Sequence, residues 1–197
     1  MEIKKIFKMR IIAGKFRGRL ILPPIDKRTR PLKDRAKEGI FNILIHSKKL
    51  NINFDKTHIL DLYCGTGSFG LECLSRGAKS VTFVENNLNA KRILEQNIEK
   101  LSVDKLTKIY FQNVENFLLE SKKIKKKINL TFFDPPFKNK NIKLMLDLIK
   151  KNELLESKNT LIMHRHKDIK EKYPYYFKIS EQKNYGNSKI IFGNIIL

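Results

Sequence analysis

The sequence is short of cysteine, of acid and of long apolar runs, and each shortage removes a class of protein. Only two cysteines, Cys64 and Cys73, occur in 197 residues. That is too few for a disulfide framework and fits a reducing, cytoplasmic setting. Neither cysteine has a CxxC partner or a neighbouring histidine, so no metal site is expected. The first residues are interrupted by Lys4, Lys5, Lys8 and Arg10, which leaves no apolar core for a signal peptide. No later stretch approaches the roughly 20 apolar residues of a membrane span. We expect a soluble, cytoplasmic chain with no membrane partner.

The shortage of acid is the stronger signal. Against 41 Lys+Arg there are 20 Asp+Glu, a formal charge of +21. Such a surplus creates a field that attracts polyanions, and nucleic acid is the expected partner. The plainer reading is a solvated basic surface in a chain rich in Lys, Asn and Ile. The run from Lys122 to Lys127 carries the same two readings, a solvated helix end or an RNA-facing rim. Hydrophobic residues make up 41%, enough for a single core, and the length suits one compact domain with a small appendage.

From about residue 57 onward, short apolar strands alternate with helical patterns. Strands are expected at 59–62, 81–84, 109–111, 130–133 and 160–163, and helices near 68–76, 88–101, 114–122 and 141–150. Alternation of this kind implies right-handed crossovers and a mostly parallel sheet covered on both faces. Residues 177–182 and 190–197 read as a terminal antiparallel hairpin turning through Tyr185, Gly186 and Asn187. Before residue 50 the pattern differs. Two short strands flank Gly14-Lys15-Phe16-Arg17-Gly18 as a small basic hairpin, and residues 28–31 are extended because Pro31 disfavours helix before it. Ala36, Ile40, Ile43 and Leu44 then recur at the spacing of an amphipathic helix over 34–46.

The first strand of the alternating region runs into Asp61-Leu62-Tyr63-Cys64-Gly65-Thr66-Gly67-Ser68-Phe69-Gly70. Gly65, Gly67 and Gly70 form GxGxxG between a strand and a helix, and Glu85 ends the next strand. Residues without side chains let the backbone approach a ligand, and the helix start offers free N–H groups and a positive dipole end. An acid at the position of Glu85 can take both ribose hydroxyls. The motif alone also serves NAD or a bare tight turn. Asp61 favours S-adenosylmethionine, because a carboxylate there can meet an ammonium and is of no use to a pyrophosphate. Thr66, Asn86 and Val114 flank these positions and complete the expected cofactor set. Asn113, at the end of the third strand, can hydrogen-bond an adenine edge or cap the next helix.

The fourth strand ends in Asp134-Pro135-Pro136-Phe137. Strand carboxyl ends gather on one edge of such a sheet, which places Asp134 across the crevice from Gly65 and Gly67. An exocyclic amine on an aromatic base is a poor nucleophile, its lone pair delocalised into the ring. Asp134 and a carbonyl of the Pro135–Pro136 segment can accept its two N–H groups and draw the nitrogen toward tetrahedral geometry. The prolines stiffen the loop and remove competing N–H donors, and Phe137 can stack on a flipped base. The plain reading of the tetrad is an ordinary strand-ending turn.

Several stretches together resemble the RsmD family: residues 9–18, Arg30-Pro31, Asp34-Arg35 with Glu38, Phe41-Asn42, the 61–72 stretch, Asp134 to Phe137, and Tyr185-Gly186. The likeness spans nearly the whole chain in order. It implies a Rossmann-like class I S-adenosylmethionine-dependent methyltransferase with a seven-stranded sheet and an antiparallel C-terminal strand. It also implies methylation of guanine N2 at one position of 16S ribosomal RNA, on a 30S subunit or late assembly intermediate, by a monomer. The chain would divide into an RNA-binding extension, 1–50, and a methyltransferase domain, 51–197. Arg10, Lys15, Arg17, Arg19, Arg30 and Arg35 would face RNA. Two departures stand out. Leu32 replaces the hydroxyl residue that usually follows Arg-Pro, and His164-Arg165-His166 stands where an acid is expected. The histidines read as surface or RNA-facing groups. Rival readings are an adenine-N6 or cytosine-N4 methyltransferase, against which stands the lack of a separate DNA-recognition domain, and a NAD-binding or non-catalytic RNA-binding protein, which leaves Asp134 to Phe137 idle.

Overall fold

A computed structural model describes residues 9–25, 32–50, 52–121, 124, 126–139 and 141–197. Its centre is a seven-stranded sheet in which strands and helices alternate. In chain order these are β3 (His58–Leu62), α2 (Ser68–Ser75), β4 (Ser80–Glu85), α3 (Leu88–Leu101), β5 (Thr107–Phe111), α4 (Val114–Glu120), β6 (Ile128–Phe133), α5 (Ile142–Lys151), β7 (Leu155–His166), β8 (Phe177–Tyr185) and β9 (Ser188–Ile195). Ahead of them lie a two-stranded hairpin, β1 (Met9–Arg10) with β2 (Leu20–Ile21), and helix α1 (Asp34–His46).

The sheet order is β5-β4-β3-β6-β7-β9-β8. The pairs from β5 through β7 are parallel, and β9 runs antiparallel to both β7 and β8. The expected hairpin therefore closes one edge, with β9 inside and β8 outside; the turn tightens to Gly186-Asn187, since Tyr185 still pairs with Ser188. The order in which strands are added reverses between the parallel neighbours β3 and β6: β4 and β5 follow on one side, β7 on the other. A crevice opens at the carboxyl ends of two adjacent strands at such a switch, and here those ends are Leu62 and Phe133, directly paired.

The period-2 alternation of each strand divides the core into two layers. Ile59, Val81, Phe83, Leu130, Phe132 and Ile162 face α1, α2 and α3. Leu60, Leu62, Val84, Phe133, Leu161 and Met163 face α4 and α5. Strands buried on both faces read as near-continuous apolar runs, and β3, β4 and β6 do so apart from polar residues such as Asp61, Thr82 and Thr131. In the first layer Phe69 stacks on Phe132 at 4.1 Å and on Phe41 of α1 at 5.3 Å. Met9, Ile11, Phe16, Ile21, Ala36 and Ile40 belong to that same layer. Packing thus runs continuously across position 50.

Strand β7 is longer than the four apolar residues suggested. Its polar stretch, Glu156 to Asn159, lies within the irregularity between the Ile128–Leu155 and Leu130–Thr160 pairs. Asn159 closes that stretch, bonding both N–H and carbonyl of Ile195.

Candidate active site

One cavity of about 460 Å³ lies at the switch, lined by the loops after β3, β4 and β6 and by Met9 and Leu32 from the N-terminal segment. The size is that of a small-molecule site. Asp61, Gly65, Thr66, Glu85 and Asn86 line it together with Asp134, Pro135, Pro136 and Phe137. The glycine turn and the Asp-Pro-Pro-Phe loop therefore share one space, as expected. Asn139 bridges them, its Nδ2 donating to the Tyr63 hydroxyl at 3.2 Å.

Asp61 is almost wholly buried. Its Oδ2 accepts from the Gly70 N–H at 3.0 Å, while Oδ1 has no hydrogen-bond partner. Burial pushes its pKa well above the carboxylate range; the Gly70 N–H opposes this, and Asp134 and Glu85 add to it. A buried acceptor without a donor is costly, and this one lines a cavity. It fits a ligand that brings a cationic donor, such as the ammonium of a methionine moiety.

Glu85 is more occupied than the sequence suggested. Its Oε2 accepts from Gly65 N–H at 2.7 Å, and Oε1 from the N–H groups of Asn86 and Asn87 at 2.9 and 2.8 Å. A carboxylate has about four acceptor positions. Three hold the glycine turn against the head of α3, leaving about one for a ribose hydroxyl instead of two. Cys64 also lines the cavity; burial first, then Asp61 and Glu85, pushes its thiol well above the usual value.

Three expected cofactor residues lie elsewhere. Gly67, at φ +82°, is absent from the cavity lining. A Cβ there would meet Leu94 at 2.4 Å, so this glycine lets α3 approach the turn. Asn113 takes the capping role, its side chain accepting from Glu115 N–H at 2.7 Å on an exposed residue. Val114 is buried in the layer under α4. Neither lines the cavity, and of the two roles open to Asn113 this geometry shows the cap.

The Asp-Pro-Pro-Phe loop is gripped from β7. Arg165, 1% exposed, directs NH1 to the Pro136 carbonyl (3.3 Å) and NH2 to the carbonyls of Phe137 (3.4 Å) and Asn139 (3.1 Å). Its Nε binds Glu171 at 2.9 and 3.2 Å, and Tyr173 donates to the same carboxylate. The planar fork of arginine suits this many fixed acceptors. The surface reading of the histidines fails for His164, which is 3% exposed. Its Nδ1 lies 2.9 Å from Asp134 Oδ1 and its Nε2 2.8 Å from the Ser188 hydroxyl. His166 is half-buried, 3.4 Å from Asp168, and both histidines lie edge-on to Phe137.

The basic hairpin is fastened to the cofactor loop by buried polar groups that sequence reading missed. Glu72 of α2 accepts from the N–H groups of Ile12 (2.7 Å) and Ala13 (3.0 Å). Asn97 of α3 bonds both backbone groups of Leu22 and the Thr66 carbonyl. Lys37 of α1 donates to the Arg10 carbonyl (2.9 Å) and the Ser68 hydroxyl (3.2 Å); burial lowers its pKa, against the pull of Glu72 and Asp34. One signal was available. α2 is otherwise apolar or small throughout, so a charge at Glu72 had to be buried. Arg10, Lys15, Arg17, Arg19 and Arg35 are all exposed, with Lys15 and Arg19 over the Phe16 ring. Arg30 lies outside the described residues, as do Lys122, Lys123 and Lys125 of the lysine run. Leu32 is buried in the cavity wall.

The fold and the two facing loops are those of a Rossmann-like methyltransferase. A solved Escherichia coli protein, yhhF, named as a methyltransferase, superposes with a TM-score of 0.79 at 25% identity, covering 96% of this chain and 99% of that one. A Haemophilus influenzae protein named as a methylase gives 0.74 at 27%, covering 97% and 100%. Among sequences, "Ribosomal RNA small subunit methyltransferase D" of Buchnera aphidicola subsp. Baizongia pistaciae is 32% identical over 80% of this chain and 76% of its own. The protein of the same name from Haemophilus influenzae is 29% identical over 91% and 90%. The family model described as "Conserved hypothetical protein 95" matches residues 9–194. The chain belongs to this family, the RsmD family its signature stretches resemble.

Proposed function

We infer that the protein transfers the methyl group of S-adenosylmethionine to the exocyclic N2 of one guanine in 16S ribosomal RNA. The observation that carries this reading is the meeting of the unpartnered Asp61 Oδ1 and the Asp134 carboxylate in one cavity. One end is suited to the cationic tail of a donor, the other to the N–H groups of an acceptor amine. The names of the relatives support ribosomal RNA of the small subunit as substrate. On the same grounds we propose the 30S particle or a late precursor as partner, a monomeric enzyme and a cytoplasmic site of action. No helix among the described residues is long and apolar enough to cross a membrane.

Asp61, Gly65, Thr66, Glu85 and Asn86 would hold the donor, which when bound supplies an electrophilic methyl on a sulfonium. Asp134 accepts one N–H of the target amine. The Pro136 carbonyl is already taken by Arg165 and by the Asn139 N–H at 2.8 Å, which assigns the second N–H to the Pro135 carbonyl. Two fixed acceptors localise the nitrogen lone pair and present it to the methyl. Orientation of this kind contributes at most about 7–11 kcal/mol. The proton released from the methylated nitrogen passes to Asp134. Phe137, braced by two histidines, offers its face to the flipped base.

The test is transfer of labelled methyl to 30S particles from cells lacking the enzyme, followed by nucleoside analysis. N2-methylguanosine is the expected product. Label in N6-methyladenosine or N4-methylcytidine would favour the rival amino-methyltransferase reading, and no label at all would end both.

A further inference from the structure

On the reading that Asp134 accepts an N–H of the target amine, we propose that His164 orients the Asp134 carboxylate through Nδ1. We also propose that Ser188 sets the histidine tautomer that allows it. His164 is a positioning residue; it acts on the substrate only through Asp134.

His164 sits on β7, the neighbour of β6, whose carboxyl end leads directly into Asp134. Its Nδ1 is 2.9 Å from Asp134 Oδ1, inside ion-pair distance, yet at an angle outside hydrogen-bond geometry. Nδ1 is thus a buried nitrogen that faces a carboxylate and bonds to nothing else. Carboxylate torsions are soft, and bonds of this kind in an empty active site often tighten only once substrate is bound. A small rotation of the Asp134 carboxylate completes this bond. Oδ1 is then committed to the imidazole, and Oδ2 is left to the cavity and the amine.

The tautomer follows from the other ring nitrogen. If Nε2 carried the only proton, the lone pair of Nδ1 would face an anionic oxygen at 2.9 Å. With the proton on Nδ1, the ring donates to Asp134 and Nε2 accepts the Ser188 hydroxyl at 2.8 Å. Ser188 is buried at the start of β9 and can rotate its proton to suit. The groups around the ring come from every neighbouring element: Asp134 and Phe137 from the loop after β6, and Ser188 from β9. Arg165, next in sequence, is taken up by Glu171 and the loop carbonyls, and His166 lies against Phe137.

Two amide substitutions separate positioning from packing. The side-chain nitrogen of asparagine reaches the place of histidine Nδ1, and that of glutamine the place of Nε2. His164→Gln should lower kcat roughly 10- to 100-fold, as loss of a group that orients a reactive one commonly does, with donor affinity unchanged. His164→Asn should recover most of kcat. Ser188→Ala should lose less than His164→Gln. Long-range 1H–15N spectra of the wild type, with His164 assigned by its loss in His164→Asn, should show a proton on Nδ1. A ring protonated only on Nε2 overturns the proposal, as do equal losses in the asparagine and glutamine variants at matched melting temperature. The spectrum needs no substrate. Failure of the wild type to methylate guanine would therefore count against the functional reading alone.

Discussion

Asp61→Asn should make the protein more stable and a poorer binder of its methyl donor, both through one buried oxygen. In the wild type Oδ1 is buried and unpartnered, and burial holds the folded-state pKa well above the ordinary carboxyl value of 3.8. Between those two values the folded chain keeps a proton that the unfolded chain has released. Stability therefore falls as pH rises through that window. Asparagine cannot ionise, and its carbonyl can still accept from Gly70. The neutral amide is spared the cost of ionising a buried, unpartnered oxygen, a desolvation penalty of about 1–3 kcal/mol. For a chain of this size that is about 2–4 °C in melting temperature per kcal/mol. The advantage should be present at pH 8 and vanish toward the ordinary carboxyl pKa of 3.8. In the complex the sign reverses, because the amide presents an N–H to an ammonium where the wild type presents a charged acceptor. Losing a charge-assisted hydrogen bond of about 1.5–3 kcal/mol weakens binding by about 10- to 150-fold. Thermal melts of the ligand-free proteins across pH, with calorimetric titration of S-adenosylhomocysteine, test both halves. Equal pH profiles, or equal affinity in the two proteins, would refute the reasoning.

Other substitutions probe the remaining parts. Asp134→Ala should abolish methyl transfer while calorimetry still detects donor binding. Arg165→Met takes the guanidinium donors from the carbonyls of the Asp-Pro-Pro-Phe loop and leaves Glu171 without its cationic partner. A buried pair broken on one side costs about 3–5 kcal/mol; partial exposure of Glu171 puts this one at the low end by chemical denaturation, with kcat falling more than donor affinity. Gly67→Ala combines a positive φ with a Cβ 2.4 Å from Leu94, and should cost about 1–3 kcal/mol of overpacking plus about 1–2 of backbone strain. Charge reversal at Lys15, Arg17 and Arg19 should weaken RNA binding and flatten its salt dependence. For every phosphate that is no longer neutralised, the logarithmic slope should fall by about 0.7–0.9, and an unchanged slope would remove the hairpin from the interface.

The parts of the molecule that could be read from sequence are those whose cause is local. Strand and helix alternation writes itself as apolar periodicity, and a parallel sheet buried on both faces leaves runs such as Leu130 to Phe133. The two loops were legible because each follows such a strand. What escaped notice depends on partners far along the chain. Gly67 looks like a ligand-facing glycine until Leu94 is found against it. Asn113 satisfies two local rules at once, and the capping bond is the one formed. His164 and Arg165 read as a basic strand end; only the sheet order brings Asp134, Glu171 and the loop carbonyls to them. The extra length of β7 was hidden for the opposite reason, because the polar residues Glu156 to Asn159 fall within a register irregularity and carry no alternating pattern.

These long-range partners have one mechanical consequence. The basic hairpin, the glycine turn and the Asp-Pro-Pro-Phe loop have few backbone bonds of regular structure, and buried polar side chains hold them in place. Glu72 fixes the hairpin to the C-terminal half of α2, Asn97 ties it to α3 and to Thr66, and Arg165 fixes the Asp-Pro-Pro-Phe loop to β7. Each anchor bonds to backbone N–H or carbonyl groups, so it constrains the path of the chain more than the side chains presented there. The exposed residues Lys15, Arg17 and Arg19 can therefore vary without moving Asp61 or Asp134. By the same logic, loss of Asn97 should disturb RNA grip and donor binding together, although Asn97 need touch neither ligand.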